Sequence, residues 1–175
     1  MFNLVEIFQK LRKLFLDKAC VSSNENIISI DWSSAAKGQY YQMAANTRVV
    51  GRMLGCVINR LKTDIGLKPD NVDLYGHSLG GQVVGFAGKN VMDPKIRQII
   101  AADPAGPGFG EFSDKYKLAV TDAQSVVVIH TNGITSIPGV FGLGDYETIG
   151  NIDFYVNGGR IIFNSPCKKC REQID

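Results

Sequence analysis

Val72-Asp73-Leu74-Tyr75-Gly76-His77-Ser78-Leu79-Gly80-Gly81-Gln82 is the stretch on which the fold of this chain turns. Its first four residues form a short apolar run, and a helical pattern follows from Gln82 to Lys89, so the sequence Gly-x-Ser-x-Gly falls between a strand and a helix. That context is what a nucleophile elbow requires, because a serine on a strained strand-to-helix turn has its hydroxyl pushed out of the sheet. Gly76 and Gly80 read as the elbow glycines, clearing side chains where the turn brings strand and helix together. A glycine-rich turn with no chemistry would show the same five residues, and the flanking strand and helix are what favour the nucleophile.

Outward from the elbow, helices and strands alternate. Residues 2–17 repeat apolar side chains at helical spacing (Leu4, Ile7, Phe8, Leu11, Leu14, Phe15), and 27–30 form a β-rich Ile-Ile-Ser-Ile run. Helical periodicity returns over 40–61 and stops near Gly66 and Pro69. Apolar runs follow at 96–101 and 125–130, the latter an unbroken Val-Val-Val-Ile that predicts a strand buried on both faces. Residues 152–155 and 161–163 flank Asn157-Gly158-Gly159, a hairpin signal. The alternation predicts the α/β class, a mainly parallel sheet flanked by helices. Ligands of such folds bind beyond the carboxyl ends of the strands, where Ser78 would emerge.

At 175 residues the chain has room for one domain with a core and is too short to expect two. With 19 Lys and Arg against 17 Asp and Glu, the formal charge of +2 and the lack of any like-charge run give no electrostatic reason to expect nucleic acid or an anionic membrane surface. Glu6, Lys10, Arg12 and Lys13 interrupt the N-terminal apolar residues, so no signal peptide is read there. Cys167 and Cys170 have the spacing of a redox or zinc half-site, but no second pair or nearby histidine completes a metal shell, so no metal is expected. Cys56, within the helical pattern, reads as a buried small apolar residue.

A serine hydroxyl becomes a good nucleophile when a histidine takes its proton and an acid fixes that histidine's tautomer. In the α/β-hydrolase arrangement the chain order is serine, acid, histidine. Asp103 follows the run ending Ile99-Ile100-Ala101-Ala102 and precedes Pro104-Ala105-Gly106-Pro107, which cannot continue a central strand. It therefore reads either as an acid at a strand terminus or as a turn-initiating Asp before proline. Serine ester chemistry needs no cofactor, and none is expected.

The blocks Gly76 to Lys89, Asp103-Pro104-Ala105-Gly106-Pro107, Asp31-Trp32-Ser33, Ala45 to Gly51, Ile129-His130-Thr131-Asn132 and Asp153-Phe154-Tyr155 resemble the animal pancreatic-lipase family, closest to insect neutral lipases and phospholipases. The resemblance runs over most of 27–167. It implies an α/β-hydrolase-like fold and a carboxylic ester hydrolase acting on glycerides or phospholipids at a lipid–water interface. Ser78 is then the nucleophile, Asp103 the triad acid and the Leu79 N–H one oxyanion donor. It also implies a secreted protein. Family members take a second oxyanion donor from a His-Gly loop and the base from a Cys-Ser-His stretch after the region corresponding to 165–170; no His-Gly pair occurs here and no histidine follows His130. His77 then has a packing or hydrogen-bonding role and His130 a supporting, buried one. The expectation is a single partial lipase domain spanning 1–175, truncated at both ends, with its sheet opened between Ile28 and Leu74 and marginal stability. The other readings are a catalytically silent lipid-binding protein resembling the family's yolk proteins, and a non-functional truncated isoform. The 133–150 segment reads as a flexible loop near the site.

Overall fold

The structure is a computed structural model and describes residues 26–133 and 142–159. Its contacts divide the chain into two compact units, Met1–Ser34 and Ala35–Asp175. In the first, the described residues 26–34 form no helix or strand, and a turn begins at Ser33, whose amide donates to the Asp31 carboxylate at 2.9 Å. The strand expected at 27–30 is therefore corrected. Ile27, Ile28 and Ile30 are exposed, Ile28 by 71%, so the run lacks the burial that makes β-branched residues favour a sheet. The helix expected at 2–17 and the second hairpin strand at 161–163 lie outside the described residues, as do Cys20, Cys167 and Cys170.

The second unit is built on four parallel strands in the order β1 (Asp73–His77), β2 (Gln98–Ala102), β3 (Ser125–His130) and β4 (Ile152–Tyr155). Two helices precede and follow β1: α1 (Tyr40–Ile65) and α2 (Leu79–Lys89). The α/β class read from the alternation is the observed one. β4 runs parallel to β3, and the expected turn after it is real, since Asn157 and Gly158 take left-handed backbone angles.

α1 ends where the sequence says it should. Gly66 adopts φ 72°, and its amide and that of Leu67 both return to the Leu61 carbonyl, closing the last turn. The buried face of the helix carries Ala44, Thr47, Gly51, Gly55 and Ile58. Gly51 and Gly55 sit one turn apart against α2: a Cβ at 51 would come 2.6 Å from the Val83 carbonyl oxygen, and one at 55 would come 2.7 Å from the Asn90 Cβ. The two helices can therefore approach closely only without those side chains. The opposite face of α1 is open and includes Val49, Met53 and Val57. Cys56 lies on it as an exposed free thiol, which corrects the buried position expected from periodicity. The 3.6-residue pattern gave the helix, but with apolar residues all round it could not say which side faced the core.

The main core lies between the helices and one sheet face, where Ile99, Ala101, Val126 and Val128 are fully buried. The side chains on the other face are Tyr75, Ile100, Val127, Ile129, Ile152 and Phe154; Tyr75, Ile152 and Phe154 are exposed and the rest half-buried. β3 is thus buried on one face rather than two. β1 stands at the edge, unpaired on its outer side by any strand among the described residues. Every strand of this sheet points the same way, so all four carboxyl ends share one rim.

Candidate active site

The rim is populated in register. His77 is paired with Ala102 and Ala102 with Ile129, so Ser78 and Asp103 each come one residue after the paired ends of neighbouring strands, which in a sheet run about 4.8 Å apart. The chain turns sharply at both. Ser78 has φ 54° and ψ −122°, and Asp103 has φ 47°. A residue with a Cβ resists such angles, so both turns need fixing by their surroundings.

The fixing is visible. The Ser78 amide donates to the Ala102 carbonyl at 3.0 Å, and the Ser78 carbonyl accepts from Gly81 at 2.9 Å and from Ala105 at 3.1 Å. The elbow is thereby laced to the strand end that carries Asp103 and to the turn that follows it. At Gly76, a Cβ would lie 2.7 Å from the Gly81 nitrogen and closer still to the Gly80 carbonyl, so the glycine is required by the backbone of the next turn. At Gly80 a Cβ would meet nothing within 4 Å, which corrects the reading that both glycines clear the same crowding. The second tight position is Gly81, where a Cβ would come 3.1 Å from the Pro104 Cβ.

Ser78 is half-buried, and its hydroxyl caps nothing in α2 and bonds to no described residue. Leu79 opens α2, so its amide has no carbonyl four residues back within the helix. Asp103 is buried, and its Oδ1 accepts from the amides of Thr131 at 3.0 Å and Asn132 at 2.8 Å. Two amide donors fix its orientation. A Cβ at Gly144 would touch the same carboxyl group, 2.8 Å from Cγ, so the chain at 142–144 packs directly on it. That part of the expected loop is tied down: the Gly106 amide donates to the Leu143 carbonyl, Gly144 to Asn132 and Asp145 to Pro104. The stretch 134–141 lies outside the described residues.

The two histidines are accounted for separately. Partial burial holds the His77 imidazole below its ordinary value, with the Asp103 carboxylate acting in the opposite direction. His130 is fully buried; its Nδ1 meets the Asp145 carbonyl oxygen at 2.7 Å and its Nε2 meets Asp153 Oδ1 at 2.8 Å. A carbonyl only accepts, so Nδ1 carries a proton. Tyr155 stacks on the ring with centroids 4.4 Å apart, and the Asp153 carboxylate also accepts from the amides of Ile149 and Gly150. With both nitrogens engaged away from the elbow, His130 braces the 144–153 segment over Asp103 and cannot take a proton from Ser78 as it stands. Asp145 is buried in this brace, with its Oδ2 unpartnered; burial pushes its carboxyl up, opposed by the Glu147 amide.

Sequence reasoning missed the Thr131 and Asn132 amides that hold Asp103, because a backbone donor leaves no mark in residue type. It also missed the Asp153 partner of His130, which lies 23 residues away. Among the described residues no group of His, Cys, Asp and Glu could hold a metal ion, and no helix is long and apolar enough to cross a membrane.

The sequence matches the Lipase family over residues 7–174. It is 38% identical to the phospholipase A1 of Vespula maculifrons, the match covering 91% of this chain and 52% of that protein. Pancreatic lipase-related protein 2 of Rattus norvegicus is 39% identical over 77% of this chain and 28% of its own length. The pancreatic triacylglycerol lipase of Myocastor coypus is 40% identical over 77% of the chain and 29% of its own length. The chain thus spans between about a quarter and half of these relatives.

Proposed function

The chain belongs to the lipase family, and from that premise we propose that it derives its chemistry from Ser78, acting as the nucleophile of a lipid ester hydrolase. The observation that carries this reading is the pair of left-handed non-glycine residues, Ser78 and Asp103, on the ends of adjacent parallel strands and laced together by the Ser78 carbonyl and the Ala105 amide. Strain of that kind costs on the order of 1–3 kcal/mol per residue and persists where a function uses it. In the proposed reaction the Ser78 oxygen attacks the ester carbonyl, and the Leu79 amide donates to the oxygen that becomes negative. The acyl group transfers to Ser78 as the alcohol departs with the proton that the serine hydroxyl gave up, and water then releases the fatty acid and restores the hydroxyl. Asp103, held by two amides, is the acid that would orient a histidine base.

Glycerides and phospholipids are the proposed substrate classes, since the matched relatives include a triacylglycerol lipase and a phospholipase A1. Secretion, action at a lipid–water interface and the partial-domain assignment over 1–175 are part of the same proposal. A second reading, a catalytically silent lipid-binding protein, is favoured by one feature: His130 is committed to Asp145 and Asp153. A fluorophosphonate probe separates the two. Labelling of the chain that disappears in Ser78→Ala supports an activated serine. If the wild-type chain takes up no probe while folded, catalysis by this polypeptide is ruled out and the silent reading stands.

A further inference from the structure

Arg48, on α1, occupies an unusual position for an arginine. Its guanidinium carbon lies 5.9 Å from the Phe86 ring centroid, 6.0 Å from Phe112 and 5.2 Å from Tyr116. Aromatic rings are attractive neighbours for a cation, yet they accept no conventional hydrogen bond in the guanidinium plane. Arg48 Nε is buried without any partner, and no carboxylate lies within ion-pair distance of the group among the described residues. The rings thus hold the cation in place while its buried Nε–H goes unmatched, at a cost of about 1–3 kcal/mol for a buried unsatisfied donor.

Beside it opens a cavity of about 320 Å³, whose lining includes Arg48, Tyr41, Phe112 and Glu111 together with Ala44 and Ala45. That is within the usual range for small-molecule sites. Glu111 is exposed and forms no ion pair with Arg48 although both line the cavity. The site therefore presents one cation, one anion held apart from it, and two aromatic rings. A simple anion would use Arg48 and be repelled by Glu111, and a simple cation would meet the reverse. A zwitterion answers both charges.

We propose that this cavity binds a phosphocholine-type zwitterionic headgroup, with the phosphate on Arg48 and the quaternary ammonium against Tyr41, Phe112 and Glu111. A planar guanidinium suits phosphate oxygens, and aromatic side chains beside a carboxylate suit a quaternary ammonium. Phe86 packs in one apolar cluster with Ala105 and Leu79, so the wall carrying Arg48 is continuous with the residue after Ser78. As an assignment of substrate class, phospholipid over triglyceride, the inference rests on the lipid-hydrolase reading; as a binding site it does not.

Titration of the full chain with soluble phosphocholine, choline and inorganic phosphate, followed by NMR, tests binding without reference to hydrolysis. Phosphocholine is expected to bind about tenfold or more tightly than either half. Glu111→Gln, a change at an exposed side chain, is expected to weaken phosphocholine about threefold while leaving phosphate no weaker. Arg48→Gln should remove both phosphate and phosphocholine binding; Tyr41→Ala, on an exposed ring, supplies the same test of the ammonium half if Arg48→Gln does not fold. Monomeric short-chain phosphatidylcholine that competes with phosphocholine assigns the site to single lipid molecules. Phosphocholine that binds no better than phosphate, is indifferent to both Glu111→Gln and Tyr41→Ala, or fails to bind where phosphatidylcholine vesicles do, overturns the proposal.

Discussion

Replacing Gly76 with alanine places a methyl carbon 2.7 Å from the Gly81 nitrogen and in still harder overlap with the Gly80 carbonyl. Both obstacles are backbone, so no rotamer change relieves them; either β1 or the first turn of α2 must move. Overpacking costs about 1–3 kcal/mol and occasionally more, and two backbone overlaps put this site at the upper end, near 3 kcal/mol. The smaller entropy of an alanine unfolded chain returns about 0.4–1 kcal/mol, leaving a net loss of about 2–3 kcal/mol. Gly80→Ala is the matched control from the same motif. Its new methyl meets nothing, and Gly80 lies inside α2, so the same entropy term and a better helix former should stabilise the fold by about 0.5–1 kcal/mol. Urea unfolding followed by circular dichroism gives both values, and a thermal midpoint lowered by about 5–10 °C in Gly76→Ala alone is the corresponding readout. Equal losses in the two variants, or a Gly76→Ala chain within about 0.5 kcal/mol of wild type, would refute the assignment of the crowding to position 76.

Asp122 supplies a pH prediction. Burial pushes its carboxyl up to about 6, against the opposing pull of Lys89 and the Ala119 amide. The folded state therefore binds a proton that the unfolded chain has already lost above about pH 4, so stability is greater at pH 4 and falls as the pH rises to about 6; urea midpoints across that window should show the decline in wild type and a flatter profile in Asp122→Asn. His130→Phe takes one partner each from the Asp145 carbonyl and the Asp153 carboxylate, which keeps its two amide donors. A loss of about 1–3 kcal/mol is expected, read by denaturant unfolding, and a loss under about 0.5 kcal/mol would mean the brace is not structural. Cys56 is exposed in the fold, so a thiol reagent should modify it in native buffer nearly as fast as in urea; protection by folding would restore the buried position that periodicity suggested.

Much of the fold was legible because it depends on local rules. The helix at Tyr40–Ile65 announces its stop with Gly66, and β1 and α2 announce the turn between them with Gly76. The failures fall where the answer depends on distant chain. Residues 27–30 have strand composition and no ladder, and the Val-Val-Val-Ile of β3 is buried on one face and half-buried on the other. In both cases composition states what a segment tolerates, while burial depends on what packs against it.

The sequence by itself determined the elbow, since a serine between a strand and a helix with glycine two residues before it has few other backbone solutions. It left Asp103 as one of two things, an acid or a turn former, and the structure shows a sharp turn at this residue and a buried carboxylate held by two amides. Only the tertiary structure decided how that carboxylate is held and what His130 does, because amides at 131 and 132, a packed glycine at 144 and an aspartate at 153 come together through pairing of strands far apart in the chain. Hydrogen bonds of that kind are set by register between strands, and register is a property of the assembled sheet.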